Sequence, residues 1–352
     1  MNRHDSYYLR LLGFVVLAAA ITGGIFGTTF TTEKATGIEI LAAFLRGVYT
    51  GTVIALPLTV IEVALSQSAF TRWRQSRPFL IALLIDSVLY TAIVTFGLWS
   101  GAWLFAGPEG SDFGWNKDSG IQMMFAFVVS VFVNLFIVIN RIIGPGVMLN
   151  IALGRYHQPV EEDRVLLFID IKGSTSIAER IGDLAFHKLL NQFYGDIADA
   201  VLRYQGTIHK YVGDEIIVSW RAGRTNSATN AIQCHRFASE IINQNRNEYQ
   251  KQFGVTPEFR AALHVGQVVI GEMGNIKLEI AFSGDAMNTA GRLMDLCREL
   301  TQDCIASAAL LDQAELPDTV AAHQLSPVKM RGKEKPIAIS ALRPAIGEKT
   351  SS

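Results

Sequence analysis

The sequence predicts two unlike parts: an N-terminal four-helix transmembrane bundle, then a C-terminal α+β domain. Three observations predict this. Hydrophobic residues make up 49% of the 352-residue chain, and the excess lies before about residue 150. Four apolar runs in that stretch are each long enough to cross about 30 Å of hydrocarbon as a helix. Beyond about residue 164, short apolar runs alternate with segments of helical period. The formal net charge is −1, so no global field calls for nucleic acid. The three cysteines, Cys234, Cys297 and Cys304, form no CxxC pair, which argues against a zinc site or a disulfide framework.

The apolar runs cover about 9–30, 38–65, 79–105 and 121–143, within a membrane domain spanning 1–143. The first lacks a small-residue cleavage site and is followed by three more, so it reads as a retained helix. Arg3 and Arg10 lie at the start of span one; Arg72, Arg74 and Arg77 separate spans two and three; Arg141 and Arg155 lie at and beyond the end of span four. The loop after span three is acidic. The positive-inside rule then puts both termini in the cytoplasm and makes the chain a multi-pass protein of the cell inner (plasma) membrane, in contact with lipid. Trp99, Trp103 and Trp115 fit an aromatic belt on the outer side. Arg46, Glu62 and Asp86 lie inside spans. Ionisable groups there mark a ligand site, or they snorkel and pair within the bundle.

Composition shifts after residue 143. Gly144-Pro145-Gly146 and Gln158-Pro159 bracket a linker over 144–163. The α+β domain occupies 164–343, and 344–352 form a tail. VLLFIDI (165–171) is a buried strand ending in an acid. Residues 175–204 carry apolar positions at helical spacing. GTIHKYV (206–212) and EIIVSW (215–220) flank Gly213-Asp214 as a tight hairpin. A helix is expected over about 226–248. FRAALHVGQVVIGEMG (259–274) reads as two short strands, and a helix follows over about 286–298. DCIAS supplies an edge strand, and PVKMRGKEKPIAISAL a last hairpin. Strands and helices mix without βαβ alternation, so the expectation is helices packed on one sheet.

Asp170 closes the first strand and Asp214 sits at the hairpin tip. If strand and hairpin are neighbours, both carboxylates converge, a donor set for a hard divalent cation. Gly173, Ser174 and Thr175 follow, where free N–H groups at a helix start can cradle an anion; the alternative is a plain Ser/Thr-capped turn. Asn288 and Arg292 are four apart on the last long helix and share a face. Together they can serve a ribose oxygen and a developing phosphate charge, or be a surface polar pair. Arg331 and Lys333 sit at a basic turn that can reach phosphates or merely be solvated.

Taken in order, FIDIKGST, KYVGDE, LHVGQVVIGEMG and FSGDAMNTAGRL resemble the class III nucleotidyl cyclase catalytic domain over roughly residues 160–343. The chain looks like a bacterial membrane-anchored adenylate cyclase. The resemblance implies a class III cyclase domain with a ferredoxin-like βαββαβ core. It implies two Mg²⁺ or Mn²⁺ ions per site on Asp170, Asp214 and the Ile171 carbonyl. Asn288 would orient the ribose, Arg292 would stabilise the transition state, and Lys210 would read adenine. Arg331 or Lys333 would reach the terminal phosphates. The sites would form between two copies in a homodimer, with ATP as substrate and intracellular signalling by cyclic AMP as the role. One position departs from the pattern: Ala281, seven residues before Asn288, stands where an Asp, Thr or Ser accepts from the adenine amine. Alternatives are a guanylate or mixed-purine cyclase and a non-catalytic nucleotide-sensing or dimerisation module. A receptor whose output is the cyclase is compatible with the first reading. Completeness of the expected residue types favours an active enzyme.

Overall fold

The computed structural model describes residues 3–29, 36–66, 79–110, scattered positions between 124 and 139, and 154–223, 226–276, 278–329 and 336–345. The chain divides into two compact units, Met1–Pro145 and Gly146–Ser352.

In the first unit, α1 (Arg3–Thr29), α2 (Gly37–Ser66) and α3 (Phe79–Gly110) are long helices. Within them, Gly37–Leu58 and Leu80–Phe105 are long and apolar enough to cross a membrane, by length and composition. The apolar stretch of α1, Val16–Thr28, is shorter. The expected span over 121–143 falls mostly outside the described residues; its described positions are helical. At the start of α2, Thr36 and Glu39 form a capping box. The Glu39 carboxylate accepts from the Thr36 N–H at 2.7 Å, and the Glu39 N–H donates to the Thr36 hydroxyl at 3.5 Å.

α1 and α2 meet backbone to backbone. Gly23-x₃-Gly27 on α1 faces Gly47-x₃-Gly51 on α2. A Cβ on Gly23 or Gly47 would strike the other's carbonyl oxygen, and one on Gly27 or Gly51 would strike that of Ala43 or Ala19. Small residues one turn apart allow this close approach, which supplies the van der Waals contact that holds helices together in lipid. Asp86 is 8% exposed on α3, next to the fully buried Ser87. Arg46 is exposed, and the Glu62 side chain lies outside the described residues.

The second unit is built on one mixed sheet. Its elements are β1 (Val160–Ile171), α4 (Ser174–Ile181), α5 (Asp183–Arg203), β2 (Thr207–Val212), β3 (Glu215–Arg221), α6 (Ser227–Gln244), α7 (Arg246–Phe253) and β4 (Phe259–Met273). Then follow β5 (Glu279–Ser283), α8 (Asp285–Glu299), β6 (Cys304–Ser307), α9 (Ala308–Leu311), β7 (Val320–Gln324) and β8 (Ile339–Pro344). The strand order is β2-β3-β1-β4-β6-β8-β7, with β5 paired to β4. The first four strands and their helices have the βαββαβ connectivity of a ferredoxin-like core.

The unbroken apolar run of β1 follows from two-sided burial. Val165, Leu167, Ile169 and Ile171 pack in the layer that includes Phe193 of α5 and Ile232 of α6. Leu166 and Phe168 face the opposite layer, with Ala290 and Leu293 of α8. Helices therefore cover both faces.

Several boundaries differ from the expected ones. β1 begins at Val160, inside the stretch read as linker. The expected helix over 175–204 breaks at Gly182, φ 82°, into α4 and α5. The helix expected over 226–248 breaks at Asn245 into α6 and α7. Residues 259–273 form one fifteen-residue strand instead of two short ones. Within it, Gly266 and Gly271 serve close approach. A Cβ on Gly266 would lie 3.0 Å from the Ala286 methyl, and one on Gly271 would lie 3.1 Å from Pro159 Cα. The DCIAS strand, β6, is internal: it lies between β4 and β8, and the sheet ends at β7. In the final segment, Val328 and Ile337 form an antiparallel bridge.

Candidate active site

The site begins where β1 ends. Asp170 pairs with Glu215 of β3 on one side and with Arg260 of β4 on the other. This central position leaves Asp170 only 4% exposed. The hairpin β2–β3 turns through Gly213, φ 64°, a conformation that glycine adopts without strain. Asp214 follows at the tip. The Tyr194 hydroxyl of α5 donates to the Gly213 carbonyl, and the Tyr194 ring stacks on Tyr211 at 4.4 Å. Helix α5 thus fixes the tip, and Asp214 directly precedes Glu215, the register partner of Asp170.

Burial pushes the Asp170 carboxyl above the usual carboxylate range. The neighbouring Asp214 charge pushes the same way, and Arg298 pulls against both. Arg298, in the last turn of α8, places Nη2 2.8 Å from Asp170 Oδ2. Glu215 is raised to about 7, by burial first and then by the Asp170 charge. Sequence reasoning missed both residues. Arg298 resembled an ordinary cation at a helix end. Glu215 lay inside the KYVGDE motif, but its role depends on the β1–β3 register.

Among the described residues no group of three or more His, Cys, Asp or Glu side chains is arranged to hold a metal. Asp170, Asp214 and the Ile171 carbonyl, the groups expected to hold a metal, would make an all-oxygen donor set. It fits a hard cation such as Mg²⁺, which commonly takes one or two carboxylates and completes its shell with water and phosphate. The Arg298 guanidinium drawn onto Asp170 is itself evidence that the spot attracts positive charge.

Next along the chain, Gly173 is the residue before α4, with φ 64° and no side-chain cap. The first helical bond runs from the Ile177 N–H to the Gly173 carbonyl. The N–H groups of Ser174 and Thr175 therefore have no partner within the helix, the condition for anion binding at a helix start. The alternative of a side-chain-capped turn does not occur.

A bulge between Ile208 and Lys210 shifts the β2–β3 register, so that Ile208 pairs with Val218 and Lys210 with Ile217. Ile208 packs with one core layer and Ile217 belongs to the other. The extra residue thus places Lys210 on the α8 side of the sheet, which strict alternation would deny it. There its ammonium lies 2.9 Å from Glu279 Oε2 at the start of β5. His209 stacks on Phe282 of β5 at 3.8 Å.

Asn288 and Arg292 lie one turn apart on α8, Asn288 exposed and Arg292 partly buried, while Ala286, Ala290 and Leu293 anchor the helix to the sheet. The guanidinium at Asp170 in the same chain is that of Arg298, not Arg292. Arg331 and Lys333 lie outside the described residues.

Fold and site together define the class: an α+β domain with paired carboxylates at a strand end, followed by an uncapped helix start. The family described as "Adenylate and Guanylate cyclase catalytic domain" matches residues 156–338, and the chain belongs to that family. Adenylate cyclase 2 of Rhizobium meliloti (strain 1021) is 39% identical over 204 residues, 58% of this chain and 56% of that protein. An adenylate cyclase of Anabaena cylindrica is 26% identical over 178 residues, 49% of this chain and 35% of that protein. The matches thus span about half or less of these relatives' lengths. A solved bacterial light-regulated adenylyl cyclase aligns with TM-score 0.54 at 18% identity, covering 64% of this chain and 66% of that one. That likeness shows a shared fold.

Proposed function

We propose that the protein is a membrane-anchored adenylate cyclase that converts ATP to 3′,5′-cyclic AMP and pyrophosphate, at sites shared between two copies of the chain. The observation that carries the reading is the register of β1 on β3, which sets Asp170 opposite Glu215 and so beside Asp214, four residues before an uncapped helix start. The ribose 3′-oxygen attacks the α-phosphorus, the bond to the bridging oxygen of the β-phosphate breaks, and the 3′-hydroxyl proton is lost. Asp170, Asp214 and the Ile171 carbonyl would hold Mg²⁺ or Mn²⁺, which would make the 3′-hydroxyl more acidic and neutralise triphosphate charge. The Ser174 and Thr175 N–H groups, after Gly173, receive phosphate oxygens. From the other copy, Asn288 orients the ribose, Arg292 balances charge that develops in the transition state, and Lys210 donates to the adenine ring nitrogen. Arg331 or Lys333 meets the terminal phosphates.

The anchor is a multi-pass bundle in the plasma membrane, with the catalytic domain on the cytoplasmic side. Support for it comes from α2 and α3, each with a stretch long and apolar enough to cross. The test uses purified full chain with Mg²⁺ or Mn²⁺ and either ATP or GTP, with products separated by chromatography. Cyclic AMP from ATP is expected. None under either metal overturns the reading, and cyclic GMP as the main product reassigns the substrate.

A further inference from the structure

We propose that Glu279 is the acceptor in the base-reading pair, and that its carboxylate supplies the hydrogen-bond partner that Ala281 lacks. The inference rests on the proposed reading of Lys210 as the residue that meets adenine. The edge of adenine presents an accepting ring nitrogen beside a donating amine. An ammonium only donates and an ionised carboxylate only accepts. Lys210 Nζ and Glu279 Oε2 stand 2.9 Å apart, so they present that pattern in complement. The two side chains are 52% and 41% exposed.

Three features of the fold bring the pair together. The bulge in β2 carries Lys210 to the α8 side of the sheet. The β4–β5 ladder, from Met273↔Glu279 to Val269↔Ser283, fixes the position of Glu279. The stack of His209 on Phe282 joins β2 to β5 one residue away from Lys210. Ala281 lies two residues beyond Glu279 and so points to the same side of β5, where its methyl group adds no competing polar atom. Guanine presents a donating ring nitrogen and an accepting oxygen, so the two side chains would have to exchange places to read it. Their separate strand anchors oppose that exchange, which favours ATP.

The test compares kcat/KM for ATP with that for purine riboside triphosphate, the analogue without the exocyclic amine, using the full chain in detergent. The unaltered protein is expected to prefer ATP about tenfold, the scale of one hydrogen bond to a charged group. Glu279→Ala should bring the two substrates within about twofold, by lowering the ATP value alone. Glu279→Gln, whose amide oxygen still accepts, should keep the preference. If Glu279→Ala retains the preference, or Glu279→Gln loses it, the assignment is overturned and the contact is a surface ion pair. Lys210→Ala separates this inference from its premise. If it leaves both substrates unchanged, the adenine reading fails as well; if it weakens both while Glu279→Ala keeps the ATP preference, only Glu279 loses its role. Nucleotide-dependent thermal stabilisation gives the same ratio by binding, so an inactive preparation still decides.

Discussion

At the residue scale, the controlling contact is the one between Arg298 and Asp170. The guanidinium neutralises a carboxylate that is otherwise buried beside Asp214 and Glu215. A divalent ion taken up there must displace it. Arg298 is half exposed, so the pair contributes at most about 1 kcal/mol. Arg298→Gln should therefore lower the Mn²⁺ concentration for half-maximal thermal stabilisation by roughly fivefold. An unchanged or higher concentration would mean that Arg298 does not compete with the ion. The sequence made Asp170 and Asp214 legible because a strand-ending acid and a Gly-Asp turn are local signals. Arg298 and Glu279 were not legible. Each meets its partner only through the packing of distant elements, 128 and 69 residues apart in the chain.

At the element scale, glycines divide into two kinds. At Gly173 and Gly213 the backbone needs positive φ, and turn chemistry announced the hairpin in advance. At Gly266 and Gly271 the glycine makes room for another element inside a continuous strand. Local sequence gives the two uses the same appearance, which is why β4 read as two strands. The Gly23-x₃-Gly27 and Gly47-x₃-Gly51 pairs belong to the second kind. Gly47→Leu should force α1 and α2 apart at a cost of about 1–3 kcal/mol. It should lower the thermal midpoint of the detergent-solubilised chain by several degrees. Gly13→Leu is the control, because nothing lies within 4 Å of a Cβ there. Equal midpoints for the two variants would refute the close contact. The apolar runs themselves were plain from composition, as was the helical period that gave α5 and α8. The breaks at Gly182 and Asn245 were missed because apolar spacing continues across them.

At the scale of the whole molecule, two predictions follow from pairing and from burial. Asp170→Ala and Arg292→Ala should each be nearly inactive as homodimers. Co-expressed, they should recover roughly a quarter of normal activity, since half the dimers formed by random pairing would carry one intact site of two. No recovery would argue against sites shared between copies. The second prediction concerns pH. Burial lowers both His209 and His235 to about 4, below the unfolded value near 6.5. The unfolded chain then binds more protons between those limits. The stabilisation from neutral histidines is complete above about pH 6.5 and is lost as the pH falls toward 4. The thermal midpoint should drop between pH 7 and pH 5, with each histidine contributing at most about 1.4 kcal/mol per pH unit. His235→Gln should flatten that slope; an unchanged slope would assign it to other groups. β1 runs unbroken for twelve residues, about 40 Å, from Val160 to Ile171, and carries Asp170 one residue before its end. It pairs with β4 along its whole length and with β3 from Arg164 to Asp170, and a slip of one residue would turn its core side chains to the wrong face. It can therefore neither stretch nor ratchet. A displacement applied at Val160 has to arrive at Asp170 as rigid motion of the strand with its neighbours, as in a push-rod.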